Sequence, residues 1–228
     1  MTKREKQKIR RTAVLVTACG VIAAAVLAMV VTIVGFVYHR YFAKDTMVEY
    51  DRISMSKPDI TEALLTPNKN SRPRKPLKRV RGIVIHYTAN PGTDAMANRN
   101  YFESRKDKKD ALKNKVSSHF IVGLDGEIVQ CIPLEEIAYA SNERNKDTIS
   151  IECCHPDASG KFNKKTYQAL IQLCAWLCAE YRVAGKEEII RHYDITGKMC
   201  PLYYVENEQE WEKLRLEIWN MLVEAQYQ

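Results

Sequence analysis

Two histidines and one cysteine have the residue types expected of a zinc site. His86 and His192 each follow a short apolar run, and Cys200 lies eight residues after His192. Zinc accepts imidazole nitrogens and thiolates in tetrahedral sites, and three protein ligands leave the fourth position open for water. Judged by residue type alone, a histidine more often packs or bonds internally than binds metal. Both interpretations stay open at this point.

Four segments of the chain, in the same order, resemble the type-2 N-acetylmuramoyl-L-alanine amidase family, which is related to the peptidoglycan-recognition proteins. They are residues 83–89 (IVIHYTA), 117–126 (SSHFIVGLDG), 149–152 (ISIE) and 191–201 (RHYDITGKMCP). The resemblance extends from about residue 80 to residue 219. It implies a central mixed β-sheet flanked by helices, and it implies hydrolysis of the amide bond between N-acetylmuramic acid and L-alanine in peptidoglycan.

The same resemblance implies a role for each of five residues. His86, His192 and Cys200 match the family's zinc ligands, Glu152 matches its catalytic glutamate and Lys198 its catalytic lysine. Zinc in such a site makes activated water available near neutral pH. Glu152 is expected to orient that water and to pass its proton to the leaving amine. Lys198 is expected to stabilise the negative charge that develops on the carbonyl oxygen.

Two positions depart from the family pattern. Ser118 stands where some phage members have tyrosine, so Glu152 must take over that tyrosine's role. Tyr139 and Ala140 stand where many members have a Trp-His pair, which affects substrate contacts near that loop rather than the metal site. Three other interpretations stay open: a non-catalytic peptidoglycan-binding receptor on the same fold, a phage-derived lysin with a releasable anchor, and a structural zinc domain in a membrane assembly.

The hydrophobic pattern predicts the elements that must position these residues. Strands are expected at 83–86, 118–122, 127–132, 149–153 and 189–190, with an Asp-Gly hairpin turn at 125–126. Helices are expected after a cap at Thr93 or Asp94, and near the C-terminus. Asn163 is expected to cap the longest helix, because apolar residues then recur at helical spacing at Tyr167, Leu170, Ile171, Cys174, Leu177, Cys178 and Tyr181. Strands interleaved with helices predict an α/β fold.

The N-terminal region predicts a membrane anchor. Residues 1–12 are basic, and residues 13–38 contain no charged side chain. A transmembrane helix needs ~20 apolar residues, and the positive-inside rule places the basic end in the cytoplasm. A cleaved signal peptide, or lipoprotein processing at Cys19, is the alternative. Residues 39–79 contain four prolines and are expected to form an extracytoplasmic linker, with a possible short helix at 59–65, before an amidase domain at 80–228.

Charge and cysteine content exclude some other classes. The net charge is +7, but it is concentrated at the N-terminus and in residues 69–81, and no nucleic-acid-binding motif is present. The basic run Arg72, Arg74, Lys75, Lys78 and Arg79 is expected either to contact anionic lipid or wall polymers or to be solvated. The seven cysteines are scattered and odd in number, which does not predict a disulfide framework.

Overall fold

The computed structural model describes residues 4, 20, 25–34, 48–109 and 114–227. The chain divides into two units, residues 1–47 and Val48–Gln228. Six strands of the second unit form one sheet: β1 (Thr61–Glu62), β2 (Gly82–Tyr87), β3 (Phe120–Val122), β4 (Ile128–Gln130), β5 (Thr148–Cys153) and β6 (Ile189–Arg191). The helices that the structure describes in full are α1 (Ala95–Glu103), α2 (Lys164–Tyr181), α3 (His192–Thr196), α4 (Leu202–Glu206) and α5 (Glu208–Ala225), and single 3-10 turns occur at Tyr50–Arg52, Asn142–Lys146 and Lys186–Glu188.

The sheet is mixed, as the resemblance to the amidase family implies. The strand order is β1-β4-β3-β5-β2-β6, and every neighbouring pair is parallel except β3 and β4. The antiparallel pair is the predicted hairpin, in which Gly126 adopts a φ of 85°. That left-handed conformation is strained for residues with a Cβ atom, which is why glycine follows Asp125 in this turn. Because β2, β5 and β6 are parallel neighbours, their carboxyl ends meet at one edge of the sheet.

Helices cover both faces of the sheet. One face packs on α2 and α5 and contains the larger hydrophobic cluster, which includes Ile83, Ile151, Leu170, Trp211 and Leu222. The opposite face packs on α1 and includes Leu65, Phe102 and Ile121. Helix α2 confirms the predicted stripe and cap, since the Asn163 side chain accepts a hydrogen bond from Thr166 N. The six cysteines that the structure describes are free and buried, so they act as small core residues.

The packing of α2 predicts a large loss of stability when one of its buried side chains is shortened. Leu170 is fully buried between this helix and the sheet. We expect Leu170→Ala to lower the free energy of unfolding by about 2–5 kcal/mol, because it removes apolar contacts and leaves a cavity. Gln172→Ala, at an exposed position of the same helix, is the matched control and should change it by less than about 0.5 kcal/mol. Urea unfolding of both variants measures the difference, and equal losses would contradict the predicted core position.

The compact unit begins at Val48, which differs from the predicted boundary at residue 80. Residues 61–77, called the strap below, pack against the domain instead of forming a linker. Strand β1 pairs with β4 where a short helix was considered possible, and Leu65 is buried. Arg72 forms a two-pronged ion pair with Glu136. The scattered apolar residues of the strap are too few to show a period, but the sheet edge supplies partners for their backbone groups.

The predicted anchor at 13–38 lies mostly outside the described residues. Of that segment the structure describes residues 20 and 25–34, which are helical and exposed. Within the ranges that the structure describes, no helix is both long and apolar enough to cross a membrane. The basic segment 1–12 is described only at Arg4. Cys19, the alternative lipoprotein site, also lies outside the described residues.

Candidate metal centre and catalytic cleft

The parallel sheet brings the two histidines together. His86 lies near the carboxyl end of β2, and His192 begins α3 directly after β6, the strand that pairs with β2. Their ring centroids are 4.7 Å apart. The chain then turns after α3 and returns Cys200 to the same place, with its Sγ atom 3.7 Å from His86 Nδ1. One potential ligand atom from each of the three residues lies within 4.8 Å of the others, and all three side chains are buried.

The geometry and the protonation of the three residues are compatible with a bound zinc ion. Zinc bonds of about 2.0–2.1 Å to nitrogen and 2.3 Å to sulfur, in tetrahedral geometry, place neighbouring ligand atoms about 3.5 Å apart. His192 Nδ1 is buried and has no hydrogen-bond partner among the described residues, so it is available to a cation. Burial lowers the pKa of His86 and of His192, which keeps both imidazoles neutral and able to ligate.

The thiol also favours a cation at this site. Burial is the main cause that raises the pKa of Cys200 to about 12. Without a metal ion the residue is therefore a protonated thiol at neutral pH even though Lys198 lowers its pKa, whereas a coordinating thiol is deprotonated by the metal. His86 Nε2, the ring nitrogen facing away from Cys200, lies 3.3 Å from Ser141 Oγ. Such an outer partner orients a ligand histidine. Ser141 cannot be recognised from the sequence, because serines in loops carry no specific signal.

Glu152 lies beside this cluster on the adjacent strand. It is the register partner of His86 in the β2–β5 pair, so the two side chains emerge on the same face of the sheet. The carboxylate atom Oε2 is enclosed and has no hydrogen-bond partner among the described residues. Burial raises the pKa of Glu152 to about 8, and the charge of Lys198 opposes that rise. A carboxyl group with a pKa near neutrality can exchange protons at physiological pH.

Lys198 completes the set of residues around one cleft. The cleft has a volume of about 610 Å³, and its walls include all five residues selected from the sequence: His86, Glu152, His192, Lys198 and Cys200. The Lys198 side chain is exposed, and its positive charge contributes to the lowered pKa of both His86 and His192. The structure thus brings the five residues together, while the roles assigned to them remain predictions. His119, in contrast, bonds internally to Ser150 and to the Glu136 carbonyl.

Arg191 positions the helix that carries His192. Its guanidinium donates to the Asp194 carboxylate, to the Tyr204 carbonyl at 2.8 Å and to Glu208 at 2.6 Å. Asp194 in turn accepts a hydrogen bond from the Arg191 backbone N–H, which closes the first turn of α3. Asp194 is thus paired with Arg191 through both its backbone and its side chain. The role of Arg191 depends on residues far along the chain and has no local signal.

We expect Arg191→Leu to lower the free energy of unfolding by about 1–3 kcal/mol, because the buried Tyr204 carbonyl and two carboxylates lose a charged donor. The matched control is Arg182→Leu, which breaks the exposed ion pair with Asp51 and should cost less than about 1 kcal/mol. Thermal unfolding of both variants followed by circular dichroism makes the comparison. A loss in the control as large as that in Arg191→Leu would show that the network adds no special stability.

The remaining cleft wall comes from four regions. The end of β2 and the residues after it contribute Tyr87, Thr88 and Ala89, helix α1 contributes Asn98, Tyr101 and Phe102, the segment before β3 contributes Lys115 and Val116, and the loop before β5 contributes Tyr139, Ala140, Asn142 and Asn145. Asn145 holds that loop in place, since its Oδ1 accepts hydrogen bonds from the backbone N–H groups of Ala140 and Ser141. Tyr139 and Ala140, the positions that depart from the family pattern, therefore do line the cleft.

The known proteins to which this chain is similar include N-acetylmuramoyl-L-alanine amidases. The family model described as N-acetylmuramoyl-L-alanine amidase matches residues 76–202 and leaves out the strap up to residue 75. The N-acetylmuramoyl-L-alanine amidase CwlL of Bacillus licheniformis is 33% identical over 168 residues, which cover 68% of this chain and 45% of that protein. The amidase BlyA of Bacillus subtilis is 30% identical over 171 residues, covering 66% and 44% respectively. The chain thus spans less than half of the length of either relative.

Solved structures show the same similarity. A mutant endolysin from Bacillus subtilis is 28% identical, with a TM-score of 0.58, and the match covers 70% of this chain and 98% of that one. The catalytic domain of XlyA is 27% identical, with a TM-score of 0.58, and the match covers 70% of this chain and 99% of that one. The similarity therefore extends over almost the whole of each solved domain.

Proposed function

The chain belongs to the N-acetylmuramoyl-L-alanine amidase family, and from this premise we propose that it hydrolyses the amide bond between N-acetylmuramic acid and L-alanine in peptidoglycan, with zinc as cofactor. One observation carries the proposal. The buried cluster of His86, His192 and Cys200 opens into the same cleft as the enclosed carboxyl group of Glu152 and the ammonium group of Lys198. A metal set next to a proton-exchanging group is an arrangement that supports amide hydrolysis.

His86 and His192 through their Nδ1 atoms, and Cys200 through Sγ, would hold the ion. When bound, zinc supplies Lewis-acid chemistry, which activates water and polarises a carbonyl group. Ser141 orients His86 through the other ring nitrogen. Arg191 fixes the start of α3 and thereby the direction in which His192 points.

Glu152 transfers the proton in the proposed reaction. Its carboxylate accepts the proton from water as the water attacks the carbonyl, and it then delivers that proton to the departing amine nitrogen. The raised pKa supports this role, because a group that titrates near neutral pH can both accept and release a proton. Lys198 faces the same cleft and stabilises the negative charge that develops on the carbonyl oxygen.

The main competing function is a non-catalytic peptidoglycan receptor on the same fold, and hydrolysis distinguishes the two. Purified cell walls are incubated with the full-length chain, with and without a chelator, and new amino termini are labelled. We expect release of L-alanine amino termini that the chelator blocks and added zinc restores. Wall binding with zinc bound but without new amino termini would favour the receptor. A structural zinc domain would show neither wall binding nor hydrolysis.

We also propose that residues 13–38 anchor the chain in the cell membrane, with residues 1–12 in the cytoplasm and the amidase domain on the outer side. The support is compositional: the segment lacks charged residues and follows a basic stretch. Because the compact unit begins at Val48, residues 39–47 remain as spacer, with a fully extended length of about 30 Å. Carbonate extraction tests the anchor, and release of the full-length chain from washed membranes would contradict it.

A further inference from the structure

A second cavity adjoins the catalytic cleft. It has a volume of about 510 Å³ and is lined mainly by the part of the strap from Pro67 to Lys75. Two residues, Lys115 and Tyr139, line both this cavity and the catalytic cleft. The two spaces are therefore neighbours with a shared wall, and a substrate held in the cleft can extend into the second cavity. None of the residues selected from the sequence as catalytic or metal-binding lies in it.

The rim of this cavity is positively charged. Lys69, Arg74, Lys75 and Lys115 are all exposed lining residues. The fifth cation of the cavity, Arg72, is already neutralised by Glu136 through two hydrogen bonds of 2.9 and 3.0 Å. The ion pairs found among the described residues include none of the other four cations. The cavity thus presents four available positive charges.

The walls between these charges are largely apolar. Pro67, Pro73 and the ring of Tyr139 line the cavity, and the Lys115 ammonium lies 5.5 Å from the centre of that ring. Two hydrogen bonds to Ser117 hold the Tyr139 backbone in place, one through its carbonyl and one through its N–H group. An apolar wall with a cationic rim suits a ligand that carries a carboxylate on a partly apolar frame, rather than a free inorganic ion.

The strap holds this cavity in a fixed shape. Asn68 Oδ1 accepts hydrogen bonds from the backbone N–H groups of Asn70 and Ser71, and Arg72 Nη1 donates to the Leu65 carbonyl. The buried Asn70 side chain donates to two backbone carbonyls beyond α1. Arg74 itself has a φ of 55°, a costly conformation for a residue with a Cβ atom. Three of the rim cations, Lys69, Arg74 and Lys75, are therefore carried on a backbone that these hydrogen bonds hold in place and that is locally strained at Arg74.

We propose that this cavity is a binding subsite for a carboxylate of the peptide attached to the sugar, with Arg74 and Lys75 as its main cations. The inference rests on the proposed function. In the amide that the enzyme would cut, the muramic acid carboxyl is already consumed, so the sugar side brings no charge. Negative charge in the substrate then lies on the side-chain and terminal carboxylates of the peptide. Cations beside the cleft therefore select the peptide side of the scissile bond.

Kinetics on soluble substrates test this subsite. The full-length chain in detergent is assayed on a muramoyl peptide with free carboxylates and on the same compound with those carboxylates amidated. For the Arg74→Gln, Lys75→Gln double variant, we expect KM to rise about tenfold on the free-carboxylate substrate while kcat is unchanged. On the amidated substrate the variant and the original chain should have the same KM, because no ion pair is left to lose.

The matched control is the Lys78→Gln, Arg79→Gln double variant, which removes the same charge from exposed positions outside the cavity. It should leave KM unchanged on both substrates. Equal effects of the two double variants, or equal effects on the two substrates, would overturn the subsite. The subsite would also be contradicted if the Arg74→Gln, Lys75→Gln double variant lost activity only on walls that carry phosphodiester polymers. That result would indicate that the two cations bind a different wall polymer. Failure of the original chain to cleave either substrate would instead refute the proposed function.

Discussion

Replacing His192 by alanine is expected to abolish both zinc binding and wall hydrolysis. His192 Nδ1 is buried without a partner and lies in the cluster with His86 and Cys200, so its loss leaves two ligands for an ion that requires three from the protein. The Cys200 thiol would then keep its proton, because burial raises its pKa to about 12 and the charge of Lys198 offsets that rise only in part. Zinc content measured by mass spectrometry, together with amino-terminus release from walls, checks both losses.

A matched histidine variant separates ligand loss from general damage. His155 is also buried, but its Nδ1 bonds to the Asp157 carbonyl and its ring packs on Tyr87, outside the cluster. We expect His155→Ala to retain zinc although it lowers stability. Full zinc retention in His192→Ala would show that the ligand set is wrong. Zinc loss in both variants, accompanied by unfolding, would show that folding rather than ligation was measured.

The second large effect is expected at Glu152. Glu152→Gln should retain zinc and reduce turnover about 10²–10⁴-fold, because the amide keeps the size of the side chain but cannot accept the proton. Glu143→Gln, an exposed carboxylate whose charge acts on His192, is the control and should keep activity within about twofold. Zinc content and turnover measured on the same preparations give the comparison. Undiminished turnover in Glu152→Gln would exclude this residue as the proton acceptor.

The raised pKa of Glu152 can be tested by a stability measurement that does not depend on activity. Because burial raises that pKa to about 8 in the fold, the protonated form is favoured there. Its contribution to stability is fully present below the unfolded pKa of about 4.3 and is lost as the pH rises through about 8. Zinc-free Glu152→Gln should therefore melt at a higher temperature than the zinc-free original chain at pH 9. At pH 4 the two should melt at similar temperatures.

Several features of the fold and the site follow from the sequence because their causes are local. The stripe of apolar residues after Asn163 and the capping side chain of that residue predict α2, and the Asp125-Gly126 turn predicts the hairpin. His86 ends an apolar run near the end of β2 and His192 directly follows β6, so both side chains emerge at a strand end. The choice of Glu152 and Lys198 depended on resemblance to a family, since a glutamate or lysine alone has no specific signal.

Tertiary structure alone decided the domain boundary, the outer support of the site and the second cavity. The strap has no hydrophobic period, and its position is set by partners from distant segments: the edge of β4, the side chain of Glu136 and the backbone carbonyls beyond α1 that Asn70 binds. Arg191 gains its role from Tyr204 and Glu208, which lie later in the chain. Periodicity and turn chemistry act over a few residues and are visible in sequence. Contacts between distant segments depend on chain topology, so the positions of the strap and its cations relative to the cleft required the folded structure.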